Sequence, residues 1–357
     1  MRYPLLMAST VLALLTACHE RTETAAAQPS APAPASKFVD APLVTDLYTA
    51  DPSAHVFDGR LWIYPSHDIE SNIASDGQGA QFDMRDYHVY SMDRIDGPVT
   101  DHGVALDLKD IPWASRQLWA PDAARKDGTY YLYFPAKDHD GVFRIGVASS
   151  TRPEGPFKAQ PEPIAGTYSM DPSVFEDDGH YYLILGGLRG GQLQRWATGT
   201  YQAEDTFPED SAPALVPKMA RLNDDMTSLA EDLRPVVIQD EQGKPLTAGD
   251  KARAFFEAAW LHKYDGKYYL SYSTGDTHFI AYAMADSVYG PYTYRGVILK
   301  PVVGWTTHHS IVEFNGQWYL FYHDAQLTGK THLRNMKVTT LHYNDDGTIQ
   351  TIEPMRP

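Results

Sequence analysis

Five times along the chain a short strand runs into Asp-Gly or Asn-Gly and returns as a second strand rich in tyrosine. The units read AHVFDGRLWIY at 54–64, ARKDGTYYLYF at 124–134, VFEDDGHYYLIL at 174–185, LHKYDGKYYLSY at 261–272 and VEFNGQWYLFY at 312–322, with turns at Asp58, Asp127, Asp178, Asp265 and Asn315. Such dipeptides favour two-residue turns with both positions left-handed, so each unit is a tight hairpin. A second phrase closes three of the units: MDRIDGPV at 92–99, STRPEGPF at 150–157 and DSVYGPY at 286–292. The repeat is therefore longer than a hairpin and holds about four strands. Four-stranded units recurring along one chain are β-propeller blades, which bury their sheet edges against neighbours. Five copies predict an all-β, five-bladed β-propeller. A β-sandwich, the competing arrangement, gives no reason for a composite unit of this size to recur.

In a propeller the first strand of each blade lines the axis and starts on one common face, so residues just before the five hairpins converge. Reading back from the turns gives Asp51 in YTADPS, Trp119 and Asp122 in LWAPD, Asp171 in SMDPS, Glu257 in FEAAW, and His308 with His309 in THHS. Asp51, Asp171 and Glu257 thus meet at the axis from distant parts of the chain. A single Asp-Pro-Ser is ordinary turn chemistry, because Asp bonds its own backbone and Pro sets φ. Two at one register, joined by Glu257 in a third blade, form a carboxylate cluster. Like charges packed together raise at least one pKa, so one carboxyl stays protonated while another stays ionised. Glycoside hydrolysis needs such a pair. Trp119 is expected to wall a sugar ring, with core packing the alternative. Asp122 reads as a turn or strand-end residue, and His309 should point away from His308.

Lys and Arg total 30 against 46 Asp and Glu, a net charge of −16 that disfavours nucleic acid and anionic lipid surfaces. A single cysteine excludes an internal disulfide and a Cys-based zinc site. That cysteine, Cys18, follows an apolar run from Leu5 to Leu15 and the sequence Leu15-Thr16-Ala17. The run has the length of a signal-peptide core and is too short to span a bilayer. It predicts an export signal at 1–17, and the resemblance of Leu15-Thr16-Ala17-Cys18 to the lipobox of bacterial lipoproteins implies a lipidated Cys18 heading a flexible Ala/Pro-rich linker to 37, with the propeller over 38–357. In a Gram-negative cell, the same resemblance to lipoproteins implies that His19 in place of Asp favours the outer membrane, on its periplasmic side or at the cell surface. Two stretches enlarge the repeat, 69–90 in blade one and about 203–254, which is read as lying outside the repeat between blades three and four.

The segments YTADPSAHVFDGRLWIYPSHD, LWAPDAARKDGTYYLYF, SMDPSVFEDDGHYYLILGG, FFEAAWLHKYDGKYYLSYS and HHSIVEFNGQWYLFYHD together resemble glycoside hydrolase family 43, from about residue 42 to 352. The resemblance implies a five-bladed propeller and an inverting mechanism. Asp51 then corresponds to the base that activates water, Glu257 to the general acid and Asp171 to the carboxylate that tunes the acid. It implies that Arg334, in THLRNMKVTTLHY, reaches the substrate or the acid-side carboxylate. His308 would face the axial channel and contact a calcium ion largely through waters, with a hydrogen-bonding role the alternative, because calcium prefers oxygen. No organic cofactor is implied. The wording is nearest to β-xylosidases and α-L-arabinofuranosidases, which release xylose or arabinose from hemicellulose-derived oligosaccharides. An endo-arabinanase, an exo-galactosidase and a silent sugar-binding propeller are the alternatives.

Overall fold

The structure, a computed structural model, describes residues 41–354 together with Met1. The chain divides into units Met1–Ala35 and Ser36–Pro357. The expected signal segment, Cys18 and the linker lie outside the described residues. Among the described residues no helix is long and apolar enough to cross a membrane.

All five hairpins form where the repeat places them. Their turn residues Asp58, Asp127, Asp178, Asp265 and Asn315 have φ of 45–53°, and each following glycine has φ of 73–78°. Both positions are left-handed, the geometry that matches strand twist in a two-residue hairpin. Among the described residues the strands make five sheets. Blade one runs Tyr48–Phe57, Arg60–Asp68, Asp86–Met92 and Thr100–Asp107. Blade two begins with Asp122–Lys126 and continues through Thr129–Asp138, Phe143–Ser150 and Lys158–Ala159. Blade four pairs Glu257–Tyr264, Lys267–Ser273, Ile280–Ala285 and Tyr292–Leu299 in order. Blade five contributes His309–Phe314, Gln317–Asp324 and Asn335–Thr340.

Blade three corrects one expectation. After Ser173–Asp177 and His180–Leu185, its outer strands are Lys218–Arg221 and Arg234–Pro235, and Ile238–Gln239 then adds a parallel strand to the outside of blade four. Part of 203–254 therefore completes the blades and does not lie outside the repeat. These strands are two to four residues long and carry no Asp-Gly turn, so no local signal marks them.

The first strands of the five blades touch in cyclic order and close a ring. Apolar packing follows the same geometry. Trp62, Tyr87, Leu132 and Phe134 fill the space between blades one and two, and Tyr133, Ile145, Leu183 and Leu185 fill that between two and three. Ile184, Met219, Leu270 and Tyr272 join three to four, Tyr282 and Leu320 join four to five, and Ile63, Tyr90, Phe321 and Val338 join five to one. A blade is buried on both faces, which is why its strands are rich in aromatic and branched residues.

The ring is sealed by the segment that leads into blade one. Leu43 and Thr49 donate backbone N–H groups to the carbonyls of Met336 and Arg334, at 2.9 and 2.8 Å. The buried Asn335 amide donates to the carbonyls of Val44 and Leu47, at 2.9 and 3.1 Å. Asn335→Ala leaves both carbonyls without this partner, and unmet buried groups cost about 1–3 kcal/mol each. Urea unfolding should show a loss in that range or above, and an unchanged midpoint would mean that the seam does not hold the ring.

Candidate active site

Each axial carboxylate sits where the backbone leaves regular strand geometry. The pairing register shifts between Ala50 and Ser53 in blade one and between Glu257 and Trp260 in blade four. At the same places the chain turns left-handed, with φ of 50° at Asp51, 54° at Asp171 and 60° at Ala258. Aspartate tolerates that conformation through local hydrogen bonds, whereas an alanine there is strained by about 1–3 kcal/mol and persists because its surroundings hold it. Bulges of this kind re-aim side chains at a strand end. Asp51, Asp171 and Glu257 line one cavity of about 640 Å³, together with Trp119, His308 and Arg334.

Asp51 is buried and heavily bonded. The Arg334 guanidinium donates to both of its oxygens, at 3.0 and 3.2 Å, and Ser66 Oγ donates to Oδ2 at 2.5 Å. Its backbone N–H donates to His323 Nδ1 at 3.0 Å. Burial opposes its charge, yet the Arg334 guanidinium beside it holds the carboxyl well below the usual carboxylate range. Asp51 is an anion at any working pH. Arg334 also bonds Asp68 through Nε and a terminal nitrogen, both at 2.8 Å, and donates its backbone N–H to the same carboxylate at 2.9 Å. Arg334 also lines the cavity, where a substrate would meet it. Its direct carboxylate partners are Asp51 and Asp68, not the acid-side group, because it lies at the seam between blades five and one.

The other two carboxyls are poised the opposite way. Burial, then the charges of Asp171 and Asp51, push Glu257 well above the carboxylate range. Burial and the Asp51 charge raise Asp171 as well, while the Ala258 N–H, donating to Oδ2 at 2.9 Å, favours its ionised form. Among the described residues no hydrogen bond supports the charged form of Glu257, so the proton of this pair belongs there.

His308 Nδ1 lies 3.6 Å from Asp51 Oδ1 and 3.9 Å from Asp171 Oδ2. Burial pushes its imidazole down to about 4, so it is neutral near neutrality. His309 turns away and meets Ser271 Oγ at 2.6 Å. Trp119 lines the cavity, but its ring packs on Phe143 with centroids 4.7 Å apart, and Nε1 donates to the Phe82 carbonyl at 2.7 Å. Asp122 starts its strand and also stitches blades together: it accepts from the Val174 N–H at 2.5 Å and pairs with His55 Nε2 at 2.6 Å.

The sequence reading passed over Ser66, Asp68, His323 and Phe82. The first three close the aromatic strands in PSHD and YHD. In an antiparallel hairpin the end of the second strand returns beside the start of the first, as Ala50 opposite Ser66 shows, so these residues face the site by register. Phe82 comes from the 69–85 excursion, and its ring centroid lies 5.0 Å from the Arg334 Cζ.

The sequence profile of Glycosyl hydrolases family 43 matches residues 98–349. The chain belongs to that family. Among relatives of this family 43 chain, Xylosidase/arabinosidase 43A of Humicola insolens is 59% identical over 325 residues, covering 88% of this chain and 99% of its own length. A xylosidase/arabinosidase of Bacteroides ovatus is 58% identical, covering 87% of this chain and 97% of its own. Among solved structures, CoXyl43, a family 43 β-xylosidase/α-arabinofuranosidase from a compost microbial metagenome, was obtained in complex with xylotriose in a calcium-free form. It matches with a TM-score of 0.88 at 63% identity, over 91% of this chain and 100% of that one. The family 43 chain is therefore a glycoside hydrolase with the five-bladed propeller of its relatives.

A carboxyl whose pKa is raised on folding makes the folded state take up a proton, so stability falls as pH rises from the unfolded pKa toward the folded one. Glu257 is such a group. Glu257→Gln should therefore raise Tm by a few degrees at about pH 7 and by much less at about pH 4, where the unfolded carboxyl is also largely protonated. Calorimetry across that range checks this, and a variant less stable at the higher pH would contradict the protonation state assigned here.

Proposed function

We propose that the chain is an inverting, exo-acting hydrolase that releases xylose, and arabinose where it is presented, from xylo- and arabino-oligosaccharides of plant hemicellulose. The observation that carries this reading is the opposed protonation of two carboxyls in one cavity, Asp51 held ionised and Glu257 held neutral. The relatives' names support the sugar class: two are xylosidase/arabinosidases and a third, from Xylanibacter ruminicola, is a β-xylosidase.

In the proposed reaction Asp51 accepts a proton from a water as the water oxygen attacks the anomeric carbon. Glu257 gives its proton to the departing glycosidic oxygen as the bond from that oxygen to the anomeric carbon breaks. Asp171 keeps Glu257 protonated through its charge and is itself oriented by the Ala258 N–H. Arg334 holds Asp51 in place and ionised. The exposed Trp305 and Ile73 flank the opening with apolar surface suited to sugar rings. His308, neutral and at the axis, fits a hydrated calcium ion reached through waters, since the oxygens beside it belong to Asp51 and Asp171. Such an ion would supply positive charge at the cavity floor. The enzyme acts outside the cytoplasm on this reading, tethered through lipidated Cys18, as the apolar leader before that residue suggests.

The two roles separate by leaving group. Glu257→Gln should lower kcat on xylobiose by about 10²- to 10⁴-fold and on an activated aryl xyloside far less, because an activated group departs with little protonation. Asp51→Asn should depress both alike. Equal losses on the two substrates for Glu257→Gln would remove it as the acid. Early proton NMR of β-xyloside hydrolysis should show α-xylose before mutarotation, and β-xylose appearing first would make Asp51 a nucleophile.

A further inference from the structure

Away from the cavity, blade one gathers a second set of donors. His67 stands near the end of the second strand, and Asp86 and His88 stand at the start of the third. One ligand atom from each of the three lies within 4.8 Å of the other two. His67 Nδ1 donates to Asp86 Oδ1 at 2.6 Å, and the two imidazoles meet edge to face with centroids 5.1 Å apart. His88 Nδ1 faces both oxygens of Asp101, each at 3.1 Å. Asp101 so placed fixes the His88 ring and leaves its Nε2 free to bind a metal, the arrangement that supports metal-bound histidine, whereas His67 Nδ1 and Asp86 Oδ1 would both face the ion, which would displace the proton they share. All three residues are half-buried, so the cluster is both held and open to solvent. None of them lines the axial cavity.

The position gives the cluster a purpose. His67 and Asp86 flank the two ends of the 69–85 excursion, which supplies Ile73, Ser75, Gly77, Gly79, Gln81, Phe82 and Met84 to the cavity wall. Asp68, beside His67, is the carboxylate that anchors Arg334. Two imidazoles and one carboxylate suit a borderline ion of the zinc kind and not calcium, which takes oxygen ligands.

We propose that His67, Asp86 and His88 bind one zinc-like divalent transition-metal ion, with water completing the coordination, and that the ion staples the root of the cavity-forming excursion.

The test uses the purified full chain, stripped with chelator, dialysed against zinc chloride and assayed for bound zinc. Wild type should hold one more equivalent than His67→Gln/His88→Gln, whatever the axial His308 binds in both. Zinc should slow amide exchange across 69–85 several-fold in wild type only, and calcium should do neither. Equal zinc content in the two proteins would overturn the site, and an extra equivalent without slowed exchange would overturn the staple. Should the double variant fail to fold by circular dichroism, diethyl pyrocarbonate labelling of wild type decides. Zinc must then shield His67 and His88, and undiminished labelling would end the proposal.

Discussion

Arg334 carries a permanent positive charge into an axis otherwise built from carboxylates, and the character of the site depends on whom it pairs with. Its guanidinium is shared between Asp51 and Asp68, with four of its N–H···O contacts at 2.8–3.2 Å. Burying a guanidinium is costly, and only full pairing of this kind offsets it. Without that charge, burial and the repulsion of neighbouring carboxylates would drive Asp51 toward its neutral form, as they drive Glu257, and the ionised base would be lost. The pairing also crosses the seam of the ring: Arg334 belongs to the end of blade five, its partners to blade one, and its own carbonyl accepts the Thr49 N–H that closes the propeller. Ring closure and charge placement are one event.

The division of labour follows from the architecture. Stability resides in the apolar packing between neighbouring blades, each filled from two faces. The axial ends of the first strands are therefore free to hold left-handed aspartates, a strained alanine and unneutralised acids. Each of these features is unfavourable locally and persists because packing elsewhere supports it. Some axial groups serve the frame as well. Asp122 and Asp171 each accept a backbone N–H from the first strand of the next blade.

Blade one contributes more to the cavity than its share of strands. Its 69–85 excursion lies so close to blades two and three that a Cβ on Gly79 would sit 2.6 Å from the Trp119 ring, and one on Gly190 would sit 2.7 Å from the Gln78 carbonyl. Trp119 therefore acts first as the anvil against which the excursion is set. The 203–254 segment, of similar apparent weight in the sequence, supplies no residue to the cavity.

The hairpins, the five-fold repeat and the common register of Asp51, Asp171, Glu257 and His308 were legible in the sequence by itself. They rest on local signals: an Asp-Gly or Asn-Gly turn admits one hairpin geometry, and a repeat of one unit implies equivalent places in space. The family could likewise be recognised from five ordered motifs. The outer strands of blade three, the N-terminal seam and the partners of Arg334 were decided only by the tertiary structure. Strands of two to four residues have no periodicity to read, and closure pairs residues nearly 300 positions apart, as Asn335 with Val44. The same holds for Ser66, Asp68 and His323, whose part in the site comes from strand register, and for the protonation of the carboxyls, which is set by burial and by charges that only the closed ring brings together.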